Sequence, residues 1–541
     1  MKTSPSLSRR EFSRHLAAGV AGAWLPSALG SSAAQAAITE QPSSQPNIVF
    51  VLSDQHACGY CGFMGHPFVR TPNLDRIAAR GAVFRNTYCG NPVCAPSRSG
   101  MICGAYGSDV NSFCNATVWD GSLPAWPALL RDAGYITFGT GKMDTSDEHD
   151  LGFTQNAGLR NQHQRDPDVT AFFRRPLCGR VNERHQVDGR TRAQPHQGDT
   201  QVTARSIDFI HAQPKGGAPW LVYCGGSLPH PPFTARKEDF ESYLARVDLP
   251  HIPAGHLEEL HFVFQQLRHF KNIATPIPEA RLLRARAAYC AMITELDENA
   301  GRIWRALEET GQLDNTIFVY SSDHGESLGE HGLWLKNNLY ENAVRVPMVM
   351  AGPGIPRGAT IDTPVAHADL VRAFLEWSGA KTHDKLRGHS LVPLTRGEKG
   401  DHPGWAFSES HSEGNCTGSF MIRKGDWKYI HFTWHDARLF NLAEDPGEFE
   451  NRIDDPPAQG ALEELRAILH AEVDPVEVTE RAFATQQKRM DRFARDRTPE
   501  EMLDSLRGRL GEGQSVALLN AYYGHTFPYT SKSSDAGSAS Y

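Results

Sequence analysis

The chain has 541 residues, 40% of them apolar and 22% charged, with a formal net charge of −8 at pH 7. That length exceeds what one small core needs and predicts a large domain with a smaller companion. The acidic balance excludes an electrostatic nucleic-acid binder. No apolar run after residue 37 reaches transmembrane length, so no membrane partner is expected after export.

Residues 1–36 read as a leader. Ser8-Arg9-Arg10-Glu11-Phe12 is a twin-arginine pattern, followed by a weakly apolar run from Leu16 to Leu29 and by Ala34-Gln35-Ala36, an A-x-A-like cleavage site. Gly19, Gly22, Pro26 and Gly30 interrupt the run, which is too short to anchor the chain. The expectation is a periplasmic or secreted protein exported by the twin-arginine route. That route carries folded proteins, so metal loading or cysteine modification can precede export. Removing a leader with four basic residues and one acid takes the formal charge from −8 to −11. The ten cysteines permit disulfides in such a compartment, but spacing does not give their pairing. Cys58-x-x-Cys61 lacks the second half that a zinc site needs.

Beyond the leader, short apolar runs alternate with helical stretches. Strands are predicted at Ile48 to Leu52, Tyr135 to Phe138, Trp220 to Tyr223, Thr316 to Tyr320 and Val346 to Met350. Helices are predicted over Trp126 to Ala133, Val202 to Ala212 and Glu279 to Thr310. Continuous apolar strands separated by helices indicate an α/β fold with a parallel or mixed sheet covered on both faces. Asp54, Lys142, His230 and the pair Asp323-His324 each stand just beyond one of these strands. Open α/β sheets bind ligands outside the carboxyl ends of their strands, so four distant parts of the chain converge on one edge.

Cys94-Ala95-Pro96-Ser97-Arg98 carries a second signal. Pro96 suits the first turn of a helix, which puts Cys94 at a helix N-terminus, where unpaired N–H groups favour an anion. Arg98, four residues on, turns back over the same place. After about residue 400, Trp427 to Phe432 and Arg438 to Phe440 read as short strands and Gln459 to Glu472 as a helix, a smaller α+β unit. Residues 476–541 read as a charged helical extension with a Ser/Gly-rich, disordered tip from Ser531.

Cys94 to Arg98 resembles the C-x-P-S-R signature of type I sulfatases, whose cysteine is oxidised to Cα-formylglycine. Pro46-Asn47-Ile48-Val49-Phe50-Val51-Leu52-Ser53-Asp54-Gln55 is similar to that family's first strand with its metal-binding Asp. Pro229-His230-Pro231-Pro232 is similar to its P-H-x-P, and Ser322-Asp323-His324-Gly325-Glu326 with Gly329 to Lys336 to its second metal segment and sulfate-binding lysine. Leu439-Phe440-Asn441-Leu442 with Asp445-Pro446 and Glu448 matches its C-terminal part. Asp54-Gln55 and Asp323-His324 look closest to the choline-sulfatase and phosphonate-monoester-hydrolase branch.

The resemblance implies an alkaline-phosphatase-like large mixed sheet sandwiched by helices over 46–400 and a smaller C-terminal α+β subdomain over 401–475. It implies hydrolysis of sulfate esters of small molecules or saccharides, through a formylglycine gem-diol at position 94 and a divalent metal held by Asp54, Cys94, Asp323 and His324. Carboxylate oxygens suit Ca²⁺ or Mg²⁺, and His324 leaves Mn²⁺ open. Lys142 and Lys336 would hold sulfate oxygens, Arg98 would support the nucleophile, His230 would protonate the leaving oxygen and Asn115 would contact substrate, with Asn111 as its competitor. A formylglycine-generating enzyme is the implied maturation partner. A homo-oligomer is a further expectation, the extension being long enough to embrace a neighbour. Trp119, Asp120, Trp334 and His411 are weaker candidates for the leaving-group side.

One departure stands out. Many sulfatases read G-K-W-H where this chain has Gly141-Lys142-Met143-Asp144. The missing histidine is the one credited with deprotonating the gem-diol, which leaves three expectations: Asp144 serves as the base, His149 reaches in, or the step is slower. The departure keeps two alternatives: a phosphonate or phosphate ester hydrolase on the same scaffold, and a catalytically impaired binding protein.

Overall fold

Asn47–Ser53 is buried along its whole length, as its uninterrupted apolar sequence predicts. In the computed structural model it is the centre of the molecule. The structure describes residues 45–161, 178–181, 183–411 and 413–523, so the expected leader and the Ser/Gly-rich tip lie outside the described residues. In chain order the strands are β1 (Asn47–Ser53), β2 (Ala82–Tyr88), β3 (Ile136–Lys142), β4 (Gln155–Arg160), β5 (Arg190–Arg192), β6 (Trp220–Gly225), β7 (Thr234–Arg236), β8 (Thr316–Ser322), β9 (Arg345–Ala351), β10 (Ala359–Ile361), β11 (Val365–Ala366), β12 (Trp405–Ser410), β13 (Ser419–Lys424), β14 (Trp427–Phe432) and β15 (His435–Asn441).

The main sheet runs β10-β2-β9-β8-β1-β6-β3-β4, with β11 also paired to β2. β9 alone runs against the rest, so the sheet is mixed, as expected. Alternation along β1 feeds two separate cores. Val49 and Val51 pack with the helices Pro72–Ala79, Gln197–Ala212 and Glu279–Glu309. Ile48, Phe50 and Leu52 pack with the helices Cys94–Cys103, Trp126–Asp132 and His367–Ser378. Phe50 meets the ring of Phe374 at 5.2 Å and that of Trp126 at 6.3 Å. The result is a sheet covered by helices on both faces.

β3 is longer than the apolar pattern of Tyr135 to Phe138 predicts, reaching Lys142. The added residues include Gly139 and Gly141, which carry no hydrophobic signal. Gly141 has φ 86°, and a Cβ there would lie 2.0 Å from Gly225 O in β6. Only glycine lets the two strands stay this close, and the extension delivers Lys142 to the sheet edge.

β12 to β15 form an antiparallel four-stranded sheet. One face packs Phe420, Ile422, Tyr429 and Leu439 under the helix Gln459–Glu472. The other packs Met421, Ile430 and Phe432 against Tyr88, Val344 and Val346 of the main-sheet edge. Three further helices, Pro475–Arg495, Pro499–Leu510 and Glu512–Tyr523, make up the extension. Cys58, Cys61, Cys89, Cys103, Cys224 and Cys290 are free thiols. Among the described residues, no helix is long and apolar enough to cross a membrane.

Candidate active site

A backbone hydrogen bond from Asp323 N to Ser53 O, 3.2 Å, ties the carboxyl ends of β1 and β8 together, and Asp54 N donates to Leu228 O in the loop after β6 at 3.1 Å. This fixes Asp54 and Asp323 side by side. Cys94 is the first residue of the helix Cys94–Cys103, with extended Val93 before it, so the predicted N-terminal placement holds. The side chains of Asp54, Cys94, Asp323 and His324 are buried, and one ligand atom from each lies within 4.8 Å of all the others. His324 Nε2 is 3.2 Å from Cys94 Sγ, 3.6 Å from Asp323 Oδ1 and 3.7 Å from Asp54 Oδ1.

His324 Nδ1 faces the carbonyl of Gly325 at 2.9 Å. A carbonyl only accepts, so Nδ1 carries the hydrogen and Nε2 turns its lone pair toward the carboxylates. That arrangement is typical of metal-ligating histidine. The donor set of two carboxylates, one imidazole nitrogen and the side chain at position 94 therefore fits a divalent cation. In the absence of metal, burial lowers the His324 pKa, but Asp323 and Cys94 together outweigh it, and the net direction is upward.

Three fixed cations balance the three carboxylates. Arg98, 2% exposed, donates from Nε to Asp323 Oδ2 at 2.8 Å and from Nη1 to Lys142 O at 2.8 Å and Tyr223 Oη at 3.0 Å. Arg98 thus turns back to hold Asp323 and a strand end. Lys142 Nζ pairs with Asp54 and lies 3.2 Å from Asp144 Oδ2. Lys336 Nζ donates to Cys94 Sγ at 2.8 Å and to Gln55 Oε1 at 2.9 Å. Burial and neighbouring Cys94 push Asp54 upward, yet Lys142, His230 and Lys336 bring it down to about 2. Burial lowers Lys336 and Lys142, but Cys94 and Asp54 hold both above the ordinary lysine value. A divalent cation added to this balanced cluster makes the site net positive, as binding of an anionic ester requires.

A family model described as Sulfatase matches residues 46–380. The chain belongs to the sulfatase family. A second model, described as N-sulphoglucosamine sulphohydrolase, C-terminal, matches residues 329–474. Arylsulfatase K of Homo sapiens is 31% identical over 430 residues, covering 75% of this chain and 78% of that protein. Choline-sulfatase of Rhizobium meliloti (strain 1021) is 30% identical over 441 residues, covering 76% and 83%. The fold is shared with a protein solved in complex with its substrate D-glucosamine-2-N,6-O-disulfate (TM-score 0.64, 22% identity, 81% of this chain and 98% of that one). It is also shared with the phosphonate monoester hydrolase of Agrobacterium radiobacter (TM-score 0.66, 22% identity, 79% and 96%). The protein is a sulfuric ester hydrolase of α/β, alkaline-phosphatase-like fold.

The remaining sequence candidates separate cleanly. Asn115 is at the site, its Oδ1 accepting from Ala95 N at 3.1 Å. Asn111 is not, donating instead to exposed Asp120 at 2.9 Å. Asp144 is buried beside Lys142, whereas His149 is exposed and meets the edge of Trp119 at 5.4 Å. Trp119 and Trp334 are buried in the two cores, and His411 is buried on Glu409 at 3.0 Å. His230 is partly buried in the loop after β6, with Nδ1 on Pro231 O. Gln55, Glu326 and Tyr223 escaped the sequence reading. The first two stood inside quoted motifs without a role, and Tyr223 looked like one more apolar strand residue.

Proposed function

We propose that the chain hydrolyses a small-molecule or saccharide sulfate ester with residue 94 as formylglycine and with a divalent cation. Ca²⁺ is the first choice, and Mn²⁺ and Mg²⁺ are the alternatives that His324 leaves open. The observation that carries the proposal is Cys94 at a helix N-terminus within contact of Lys336, His324 and Asp54. In this arrangement Cys94 Sγ stands where a formylglycine oxygen would be. As its hydrate, formylglycine supplies an oxygen nucleophile, and the cation held by Asp54, Asp323, His324 and residue 94 supplies Lewis acidity.

The chain's own side chains do the rest. Lys142 and Lys336 place positive charge on both sides of residue 94 and take the oxygens of a bound anion. Arg98 keeps Asp323 oriented. Pro231 O fixes the His230 hydrogen on Nδ1, so Nε2 is the nitrogen that loads and delivers a proton to the leaving oxygen. Asn115 holds the first turn of the nucleophile helix through Ala95 N and faces the substrate side. Asp144 stands where the family's histidine is absent and serves as the base near Lys142. Export by the twin-arginine route after modification by a formylglycine-generating enzyme completes the proposal.

The test is mass spectrometry of the tryptic peptide Asn86 to Arg98 from protein matured in its own host. An aldehyde at position 94 with an ordinarily alkylated Cys89 is expected. An unmodified thiol at position 94 in fully matured, active protein would overturn the proposal. Asp144 in place of histidine favours a second reading, preference for a phosphonate ester, which relative rates on aryl sulfate and aryl phosphonate decide.

A further inference from the structure

Gln55 is fully buried and sits in the left-handed region at φ 71°. Its backbone is pinned on both sides: N donates to Asp323 Oδ1 at 3.0 Å, and O accepts from Tyr289 Oη at 2.8 Å. Its side chain therefore leaves from a fixed point one residue beyond Asp54. The amide lies between two groups of opposite hydrogen-bonding character. Nε2 donates to Glu326 Oε2, and Oε1 accepts from Lys336 Nζ at 2.9 Å. A carboxylate only accepts and an ammonium only donates, so these partners dictate which way the amide faces.

Glu326 does a second job with its other oxygen. Oε1 accepts from the backbone N of Leu328 at 3.0 Å and of Leu335 at 2.6 Å. Ser327 N to Leu335 O, 2.8 Å, and Gly329 N to Leu333 O, 2.8 Å, close the same loop. Glu326 thus clamps the start and the end of the segment that delivers Lys336 and also orients the amide that receives the lysine.

The geometry points to Gln55 as a positioning residue that holds Lys336 against residue 94, with Glu326 fixing the orientation of its amide. This inference rests on the part given to Lys336 under the proposed function. The physical need is specific. A lysine side chain is a mobile point charge, and Asp54 is close enough to attract it. Left alone, the ammonium would move toward the metal-ligating carboxylate. A neutral acceptor draws one of its three N–H groups aside without neutralising it, and another reaches the nucleophile. A carboxylate at position 55 would orient the lysine too, but it would cancel the charge that an anionic substrate needs.

A double-substitution cycle tests this. Gln55→Met keeps an unbranched side chain at the strained backbone position and removes the acceptor. In the wild-type background it is expected to lower kcat/KM about tenfold, the size of coupling seen between touching residues, mostly through kcat. In the Lys336→Met background the same substitution is expected to change kcat/KM less than about threefold. Metal content of Gln55→Met should stay at the wild-type value, and its melting temperature should fall by about 1–3 °C, because buried Glu326 Oε2 loses its donor. Equal losses in both backgrounds, or loss of bound metal in Gln55→Met, would overturn the positioning role. Full activity of Lys336→Met alone would remove Lys336 from the reaction, and the inference would fall with that separate reading. Glu326→Gln, which can present its own amide to Gln55, gives a second reading of the clamp. Its loss should likewise vanish when Lys336 is already methionine, and a loss that persists there would assign Glu326 to the fold alone.

Discussion

Replacing Arg98 by methionine asks what the buried guanidinium contributes. The side chain is 1% exposed and its partner Asp323 is fully buried. The substitution leaves the Asp323 carboxylate without its cation and removes donors from Lys142 O, Tyr223 Oη and Ser53 O. Removing one partner of a buried ion pair costs about 3–5 kcal/mol. For 541 residues, an unfolding entropy of ~2.1 cal/mol/K per residue makes one degree worth roughly 1 kcal/mol. The expected fall in melting temperature is therefore about 3–5 °C, measured by calorimetry in chelator. Saturating Ca²⁺ or Mn²⁺ should narrow the gap to wild type, because a cation at Asp54 and Asp323 replaces part of the lost positive charge. Arg98→Lys should fall between, since one ammonium cannot reach three of these acceptors at once. A gap under about 1 °C, or one indifferent to metal, would refute this account.

Other consequences are as direct. Cys94→Ala should cost roughly 10⁴-fold or more in kcat, as loss of a nucleophile does; steady-state turnover of an aryl sulfate checks it. His230→Ala should lower kcat/KM by about 10²- to 10⁴-fold for alkyl sulfates and far less for nitrophenyl sulfate. Equal losses across leaving groups would remove it as the proton donor. Asp54→Asn should strip the bound metal, read as metal per chain by mass spectrometry, with protein still folded. A pH effect comes from His261, which caps the helix Phe262–Phe270 through Val263 N and stacks on Phe432 at 4.0 Å. Burial first, then Arg438, pushes its pKa down to about 4. Its contribution is complete above the unfolded value near 6.5 and is lost as pH falls toward 4, at most about 3 kcal/mol. His261→Asn keeps a capping acceptor without this titration, so its melting temperature should fall less than wild type between pH 7.5 and 4.5.

What was legible in the sequence divides by range. β1, β6 and β8 are legible because both faces are buried and their central positions form an apolar run. The helix Gln459–Glu472 is legible to the residue because its apolar positions keep one period. The end of β3 is not legible because its last four residues are Gly139, Thr140, Gly141 and Lys142, and its pairing depends on close backbone approach rather than on side chains. The candidate site was legible wherever chemistry and strand ends coincide, at Asp54, Asp323 and His324. It was not legible at Gln55 or Tyr223, whose work is to receive a hydrogen bond from a residue that is distant in sequence. No local pattern encodes such a pairing.

The same distinction explains the C-terminal extension, which composition describes only as charged and helical. Its apolar side chains Met490, Met502, Leu503, Leu506, Leu510, Leu518 and Leu519 close onto Cys114 and Ala116, the residues on either side of Asn115. Arg481 adds a hydrogen bond to Ser108 O at 3.0 Å, and Gln514 receives one from Gly179 N. Thr117 holds the turn from within, accepting from Phe113 N at 2.8 Å and Cys114 N at 2.9 Å. A short turn of this kind contributes little buried area of its own, so its order depends on what packs behind it. Here the backing comes from a segment more than 350 residues away in the chain, beyond the stretch that either family model matches. The order of the wall that carries Asn115, and with it the hydrogen bond from Ala95 beside Cys94, is therefore set partly by the helices Pro475–Arg495, Pro499–Leu510 and Glu512–Tyr523.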